Sequence, residues 1–410
     1  MSWRERPDHR RFLAAESERL LEFARAARVP GGYAWLDETG TPDLQRPLQL
    51  WICTRMVHVF ALGDLLGRPG CGPLADHGLA ALRDVFADGE HGGWYGEVAG
   101  GRPTSTDKTA YEHAFVLLAA SSATVAGRPG AEALLGEAAA VVEERFWSDA
   151  QGICVEAWDR AWTQLDSYRG ANANMHMVEA FLAAADATGD RRWAARALRI
   201  ATALIDRHAR ANGWRVPEHY DAELRPDVEY NADRPRDRFR PYGVTPGHAL
   251  EWSRLLLHLH AALRDPPAWL RQAAAALFAR AVEDGWEATG GFVYTTGHDG
   301  RPAVRERFHW VVAEAIGAAA ALHAVTGDDA YDGWYRAFWD FADLHLRDRV
   351  HGGWRSELDA DNRPSAATWP GKADTYHAFQ ATLVPRLPLA PGMALALRDA
   401  APDLTARRNG

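Results

Sequence analysis

Two kinds of apolar stretch alternate along this chain. One kind is apolar over most of the circumference of a helix. Leu48 to Gly63 carries Leu50, Cys53, Val57 and Ala61 at helical spacing, and Ala171–Ala187, Thr245–Leu263, Trp310–Val325 and Thr375–Leu383 have the same character. A helix without a polar face is a buried helix. The other kind is amphipathic: Glu132–Phe146 sets Glu among Ala, Leu and Val, and Arg191–His208 sets Arg among Trp, Leu and Ile. Asp8–Ala27 is the first helix of this exposed type. The pattern predicts helix pairs, one member inside and one outside.

A short glycine-led motif separates the pairs. It appears as Gly31-Gly32-Tyr33, Gly92-Gly93-Trp94, Gln151-Gly152-Ile153, Asn212-Gly213-Trp214, Gly290-Gly291-Phe292 and Gly352-Gly353-Trp354. Several copies run on into a polar turn such as Asp37-Glu38-Thr39-Gly40, so each reads as a small β-hairpin or extended turn. The glycines at 32, 93, 152, 213, 291 and 353 are spaced by 61, 59, 61, 78 and 62 residues. Six copies of hairpin, buried helix and exposed helix predict an all-α fold, a single (α/α)6 barrel with short β-hairpins on one face, spanning residues 1–410. An open solenoid would need capping repeats, which the sequence lacks. The one long interval contains residues 221–246, rich in Asp, Arg and Pro, and is expected to be an inserted loop over the barrel mouth.

Ionisable and polar residues interrupt the buried helices near their starts: Arg55; Tyr111 and His113; Asn172, His176 and Glu179; His248 and Glu251; Trp310 and Glu314; Tyr376 and His377. Burying such groups is costly, so their recurrence at matching places in a repeat marks a site. In a closed ring they would share one level and point toward one axis. His176/Glu179 and His248/Glu251 are spaced i, i+3, which puts each pair on one helix face, where a carboxylate can fix an imidazole's tautomer.

Composition narrows the chemistry. The net charge of −9 disfavours nucleic acid and an anionic membrane surface as partners. Three cysteines without a C-x-x-C pair, a charged N-terminus and no apolar run near 20 residues point to a cytoplasmic protein without disulfides. Trp and His number 17 each, and aromatic walls suit carbohydrate faces. H-x-x-E is not a zincin pattern, and no P-loop, dinucleotide fingerprint or G-x-S-x-G is present, so no metal and no cofactor is expected. The oligomeric state, monomer or homodimer, is left open.

The chain resembles the N-acylglucosamine 2-epimerase superfamily, nearly end to end, and within it the aldose–ketose isomerase branch of mannose and sulfoquinovose isomerases. The resemblance is carried by Leu50-Trp51-Ile52-Cys53-Thr54-Arg55-Met56-Val57-His58, Arg169-Gly170-Ala171-Asn172-Ala173-Asn174-Met175-His176, Arg238-Phe239-Arg240, Thr245-Pro246-Gly247-His248-Ala249-Leu250-Glu251-Trp252 and Trp369-Pro370-Gly371-Lys372-Ala373-Asp374-Thr375-Tyr376-His377. It implies an (α/α)6 barrel and metal-independent isomerisation of a monosaccharide, mannose to fructose and also lyxose to xylulose, through a cis-enediol. It implies His377 and His248 as the acid–base pair, with Arg55 on the substrate oxygens. It implies Tyr111, Asn172 and His176 as pocket lining, and Glu251 and Glu314 orienting or charging the histidines. Trp51, Trp310, Trp369 and Arg238 complete the expected substrate-binding set. Sulfoquinovose isomerases carry Gln where this chain has Ala373, which weakens a sulfonate preference. Two-epimerisation stays open because the same enediol can be reprotonated at C2. A glycoside hydrolase on the same barrel would need two carboxylates such as Glu251 and Glu314 and would leave the histidines without a role. A non-catalytic sugar-binding protein would explain the aromatics but not the His–Glu pairs.

Overall fold

The computed structural model describes residues 2–406, with side chains to residue 400. Among these are thirteen α-helices: α1 Pro7–Arg25, α2 Leu50–Leu65, α3 Cys71–Ala81, α4 Ala110–Val125, α5 Ala131–Val141, α6 Ala171–Thr188, α7 Arg192–Ala201, α8 Pro246–Ala262, α9 Trp269–Gly285, α10 His309–Thr326, α11 Asp329–Phe341, α12 Tyr376–Leu383 and α13 Met393–Ala406. The even-numbered helices are the buried ones, as their apolar circumference predicts. In α2 every residue from Leu50 to Gly63 is buried, and α10 is buried along nearly its whole length. α10 is also long and apolar enough to cross a membrane, but it is mostly buried and carries Glu314 in its interior, which marks it as a core helix.

Four of the odd-numbered helices end in a π-helical turn: Leu82–Phe86, Val142–Phe146, Thr202–Ala209 and Ala342–Leu346. The wider turn brings a large apolar residue (Phe86, Phe146 or Leu346) into the core just before the glycine motif. The motif then folds back on the chain, as in Ala87 against Trp94, Trp147–Ser148 against Ile153–Cys154, Trp286 against Phe292 and Arg347 against Trp354.

The chain divides into two compact units. The first comprises Met1–Phe23, Asp37–Gly40 and Ala201–Leu389. In it α10 packs on α8, α11 and α12, and α8 packs on α9. The N-terminal helix belongs here: His9 Nε2 meets the Tyr335 hydroxyl of α11 at 2.7 Å, Arg347 donates to Glu16 at 2.6 Å, and the Trp354 indole N–H donates to the same carboxylate at 3.0 Å. Within this unit the first exposed helix thus docks on α11 and the glycine motif that follows it. The second unit comprises Ala24–Leu36, Thr41–Ile200 and Ala390–Gly410. There α4 packs on α2, α5 and α6, α2 packs on α3, and the C-terminal α13, for which the repeat pattern gave no signal, lies against α2, α4 and α6.

Residues 221–246 belong to the first unit and form turns pinned at both sides. His219 Nε2 meets the Pro241 carbonyl at 2.7 Å and stacks on Tyr230, Asn231 donates to the Arg240 carbonyl at 2.6 Å, and Arg236 pairs with Glu306 at 2.7 Å. Val244 pairs with Thr296. That close approach needs a residue without a side chain beside it: a Cβ on Gly243 (φ 93°) would come within 2.1 Å of the Thr296 carbonyl oxygen.

Candidate active site

Helix α8 opens with Thr245-Pro246-Gly247-His248, with proline in the first turn where its missing N–H costs nothing. His248, in that turn, is buried, and its Nδ1 lies 2.9 Å from Glu218 Oε2, a buried carboxylate that follows the fourth glycine motif. Helix α12 opens with Tyr376-His377. His377 Nδ1 lies 2.5 Å from Asp374 Oδ2, while Asp374 Oδ1 accepts the His377 backbone N–H at 3.3 Å. Both imidazoles therefore present the same arrangement: Nδ1 committed to a carboxylate, leaving Nε2 as the atom that can meet a substrate.

The two rings flank one indole. Trp310 lies 5.2 Å from the His248 ring centre and 5.9 Å from that of His377. Gly247 makes this possible, since a Cβ there would stand 2.5 Å from the Trp310 ring. On the next turn of α8, Glu251 and Arg254 are buried with Glu314 of α10. The Arg254 guanidinium donates to Glu314 at 2.9 Å and lies 3.7 Å from Glu251. A fully buried side chain such as Ile316 or Leu256 stabilises by about 1.5–3 kcal/mol relative to exposure, whereas an unpaired buried carboxylate costs several kcal/mol. Arg254 gives both glutamates the partner that burial demands. Nearby, Arg238 is exposed with its guanidinium 5.6 Å over the Trp369 ring, and Phe239 meets the same ring edge-on at 5.4 Å.

In the second unit, Arg55 of α2 is buried among aromatic faces, 4.3 Å over Phe115 and 5.2 Å over Trp51, and donates to the Tyr111 hydroxyl at 3.0 Å. His176 of α6 packs against Phe115 and Tyr111, with ring centres 4.7 and 5.3 Å away, and its Nδ1 is 3.8 Å from Glu179. Asn172 is half-buried one turn earlier on α6. Its neighbour Asn174 serves the fold instead, clasping the Cys154 backbone and the Gly170 carbonyl.

The structure departs from the sequence expectation in how the histidines are oriented. Spacing paired His248 with Glu251, and the resemblance gave Glu251 and Glu314 the task of orienting or charging the rings; both lie within 4.8 Å of a His377 nitrogen, as charging requires. The carboxylates on the two Nδ1 atoms are instead Glu218 and Asp374, while Glu251 and Glu314 are gathered by Arg254. Helical i, i+3 spacing brings two side chains to one face but does not choose between that neighbour and a carboxylate delivered by a loop. Asp374 had a signal, three residues before His377 in the D-x-Y-H stretch. Glu218 had none, because the long fourth interval separates it from α8. His113 is another difference. Its Nδ1 meets the Thr109 carbonyl at 2.7 Å, its Nε2 accepts the Trp94 N–H at 3.3 Å, and it is enclosed by Trp94, Phe146 and Trp162. Burial lowers its pKa to about 3, so it is a neutral strut of the hairpin.

Among the described residues of the first unit, two clusters have the donor atoms for a cation: His309, Asp374 and His377, and Glu251, Glu314 and His377, each with one atom per residue within 4.8 Å of the others. Neither is arranged as a ligand set. In the first, Asp374 is engaged by His377 Nδ1 and both His309 nitrogens face backbone carbonyls; in the second, an ion would have to compete with the Arg254 guanidinium.

The chain is similar to known proteins along nearly its whole length. The sequence profile of the N-acylglucosamine 2-epimerase (GlcNAc 2-epimerase) family matches residues 31–381. The D-mannose isomerase of Thermobifida fusca is 54% identical over 400 residues, covering 96% of this chain and 98% of that protein. The D-mannose isomerase of Pseudomonas cannabina pv. alisalensis is 48% identical over 402 residues, 97% of each. A crystal structure of a D-mannose isomerase, 31% identical, superposes with a TM-score of 0.87 over 92% of this chain and 97% of that one. The fold class is accordingly that of the (α/α)6 barrels. With the motifs, the fold and near-full-length matches in agreement, the chain belongs to the N-acylglucosamine 2-epimerase family.

Proposed function

We propose that this protein is an aldose–ketose isomerase that interconverts D-mannose and D-fructose, and accepts lyxose, by proton transfer between C2 and C1. The observation that carries the reading is the pair of buried imidazoles on either side of Trp310, each with Nδ1 held by a carboxylate. Aldose isomerisation needs an open-chain sugar, a base for the C2 proton and an acid that returns a proton to C1. Histidine suits both tasks because its ordinary pKa lies near neutrality. In this reading His248, backed by Glu218, moves the proton that opens the ring. His377 Nε2 then takes the C2 proton as the aldehyde oxygen O1 becomes an enediolate oxygen; the proton on O2 passes to O1, and the same nitrogen delivers a proton to C1 as the C2 oxygen becomes the ketone. Asp374 stabilises the imidazolium in between.

Glu251 and Glu314, beside Arg254, accept hydrogen bonds from sugar hydroxyls. Trp310 and Trp369 offer apolar faces, and Arg238 lies at the Trp369 edge. The resemblance gives Arg55 the developing oxyanion and gives Tyr111, Asn172, His176 and Trp51 the remaining contacts, and Arg55 has the character that role requires: a cation already stripped of water and fixed by Tyr111. Sulfoquinovose is disfavoured because Ala373 offers no polar contact to a sulfonate. The three cysteines are buried as free thiols, which suits the reducing cytoplasm.

Incubation with mannose, glucose, lyxose and sulfoquinovose, followed by NMR, tests the assignment. Fructose forming fastest, from mannose, supports it. Glucose as the main product of mannose would make the protein a 2-epimerase, and turnover of sulfoquinovose alone would refute the substrate.

A further inference from the structure

His309 is a buried imidazole for which neither the fold nor the chemistry above has a use. It opens α10, and its backbone N–H already donates to the Ser356 carbonyl at 3.1 Å. The ring repeats that contact on one side, with Nδ1 3.3 Å from the Ser356 oxygen, and on the other side Nε2 lies 3.1 Å from the Asp374 carbonyl. The same Nε2 is 3.8 Å from Asp374 Oδ2, the oxygen that holds His377. The rings of His309 and His377 stand 6.3 Å apart and nearly perpendicular, with Asp374 meeting one through its backbone carbonyl and the other through its carboxylate.

A neutral imidazole has one N–H, and here two carbonyls face it. The shorter contact and the nearby carboxylate favour the Nε2–H tautomer. A second proton is opposed chiefly by burial and also by the neighbouring His377, which together outweigh the pull of Asp374. The ring therefore presents a fixed N–H edge to the back of Asp374.

We propose that His309 is a positioning residue of the isomerase site: it holds Asp374 from behind, and thereby sets how strongly Asp374 grips His377. An N–H held on the Asp374 carbonyl fixes that residue's backbone and, 3.8 Å from the carboxylate oxygen, offsets part of its charge, so Asp374 supports the protonated form of His377 less than it would without the neighbouring N–H. The other ionisable groups facing His377 in this unit are Glu251 and Glu314, with Arg254 between them. None of these touches His309 in place of Asp374.

The inference rests on the isomerase reading but has a readout independent of it. The full chain, labelled with 15N-histidine, is titrated by NMR, and kcat and KM for mannose are measured over the same pH range. In the wild type, His309 is expected to stay an Nε2–H tautomer, with its Nε2 resonance stepping as His377 titrates. In His309→Phe, which removes the donor, the His377 midpoint and the acid limb of kcat should both move up by about half a pH unit, with KM changing less than about twofold. His309→Gln, whose amide N–H can take the place of Nε2–H, should restore the wild-type profile. A His309 resonance blind to the titration of His377 would overturn the proposal even if both variants failed to fold, as would identical His377 midpoints in wild type and His309→Phe. Absence of turnover by the wild type would defeat the isomerase reading alone, leaving the NMR coupling to decide on His309.

Discussion

His113 and His377 each stand in the first turn of a buried helix, α4 and α12, and the surroundings give them opposite work. His113 spends one nitrogen on a backbone carbonyl and the other on a backbone N–H, inside a box of aromatic rings. Burial outweighs the one favourable contact, the Thr109 carbonyl, and keeps the ring neutral down to a pKa of about 3. His377 spends only Nδ1, on a carboxylate that rewards the charge. The lesson is that a buried histidine becomes an acid–base group through the partner of its first nitrogen and the availability of its second, and that burial alone argues the other way.

The largest expected effect lies on the catalytic side of this contrast. His377→Asn should lower kcat for mannose by about 10³-fold or more, while His113→Phe should stay within a few-fold of wild type. A His113 variant as inactive as the His377 one would erase the distinction. Next, Asp374→Asn keeps the shape of the His377 contact but removes its charge, and kcat should fall by about 10²-fold with KM changing little. Gly247→Ala should be milder, because it pushes Trp310 from its place between the two histidines; about tenfold lower kcat/KM with the fold intact would sharpen the role given to that ring.

The smallest effect concerns stability. The folded pKa of His113 is depressed, so its contribution is complete above about 6.5 and is lost as pH falls toward about 3. The loss reaches about 1.4 kcal/mol per pH unit within that window. His9, lowered to about 4 by burial, adds loss of the same sign. Denaturant midpoints at pH 7 and pH 5 should show a drop in the wild type that is smaller in His113→Phe. Equal drops would mean that His113 is not the group responsible.

The sequence disclosed the architecture because the repeat is written twice over, in helices without a polar face and in glycine motifs at near-constant intervals. The ends of α6, α8, α10 and α12 fall within one or two residues of the expected bounds for that reason. Helix α13 follows the last motif and belongs to no repeat, so periodicity could not announce it. The site was legible where its residues sit on the buried helices, since a charge there has no packing excuse: His248, Glu251, Glu314 and His377 stand out on that ground. It was illegible where loops deliver the partners. Glu218 and Asp374 are ordinary acidic residues in polar surroundings along the chain, and only folding reveals which imidazole each one meets. Arg254 was hidden by its closeness to Glu251, since an i, i+3 Glu–Arg pair is usually a surface ion pair.

The central claim is that His377 carries the proton between C2 and C1, and solvent exchange reports on it directly. The measurement is conversion of mannose in heavy water, with deuterium at C1 of fructose followed by NMR in the wild type and in His377→Ala. The account predicts that the wild type incorporates deuterium at C1 during turnover and that His377→Ala incorporates none above background. Exchange at an undiminished rate in His377→Ala would contradict it.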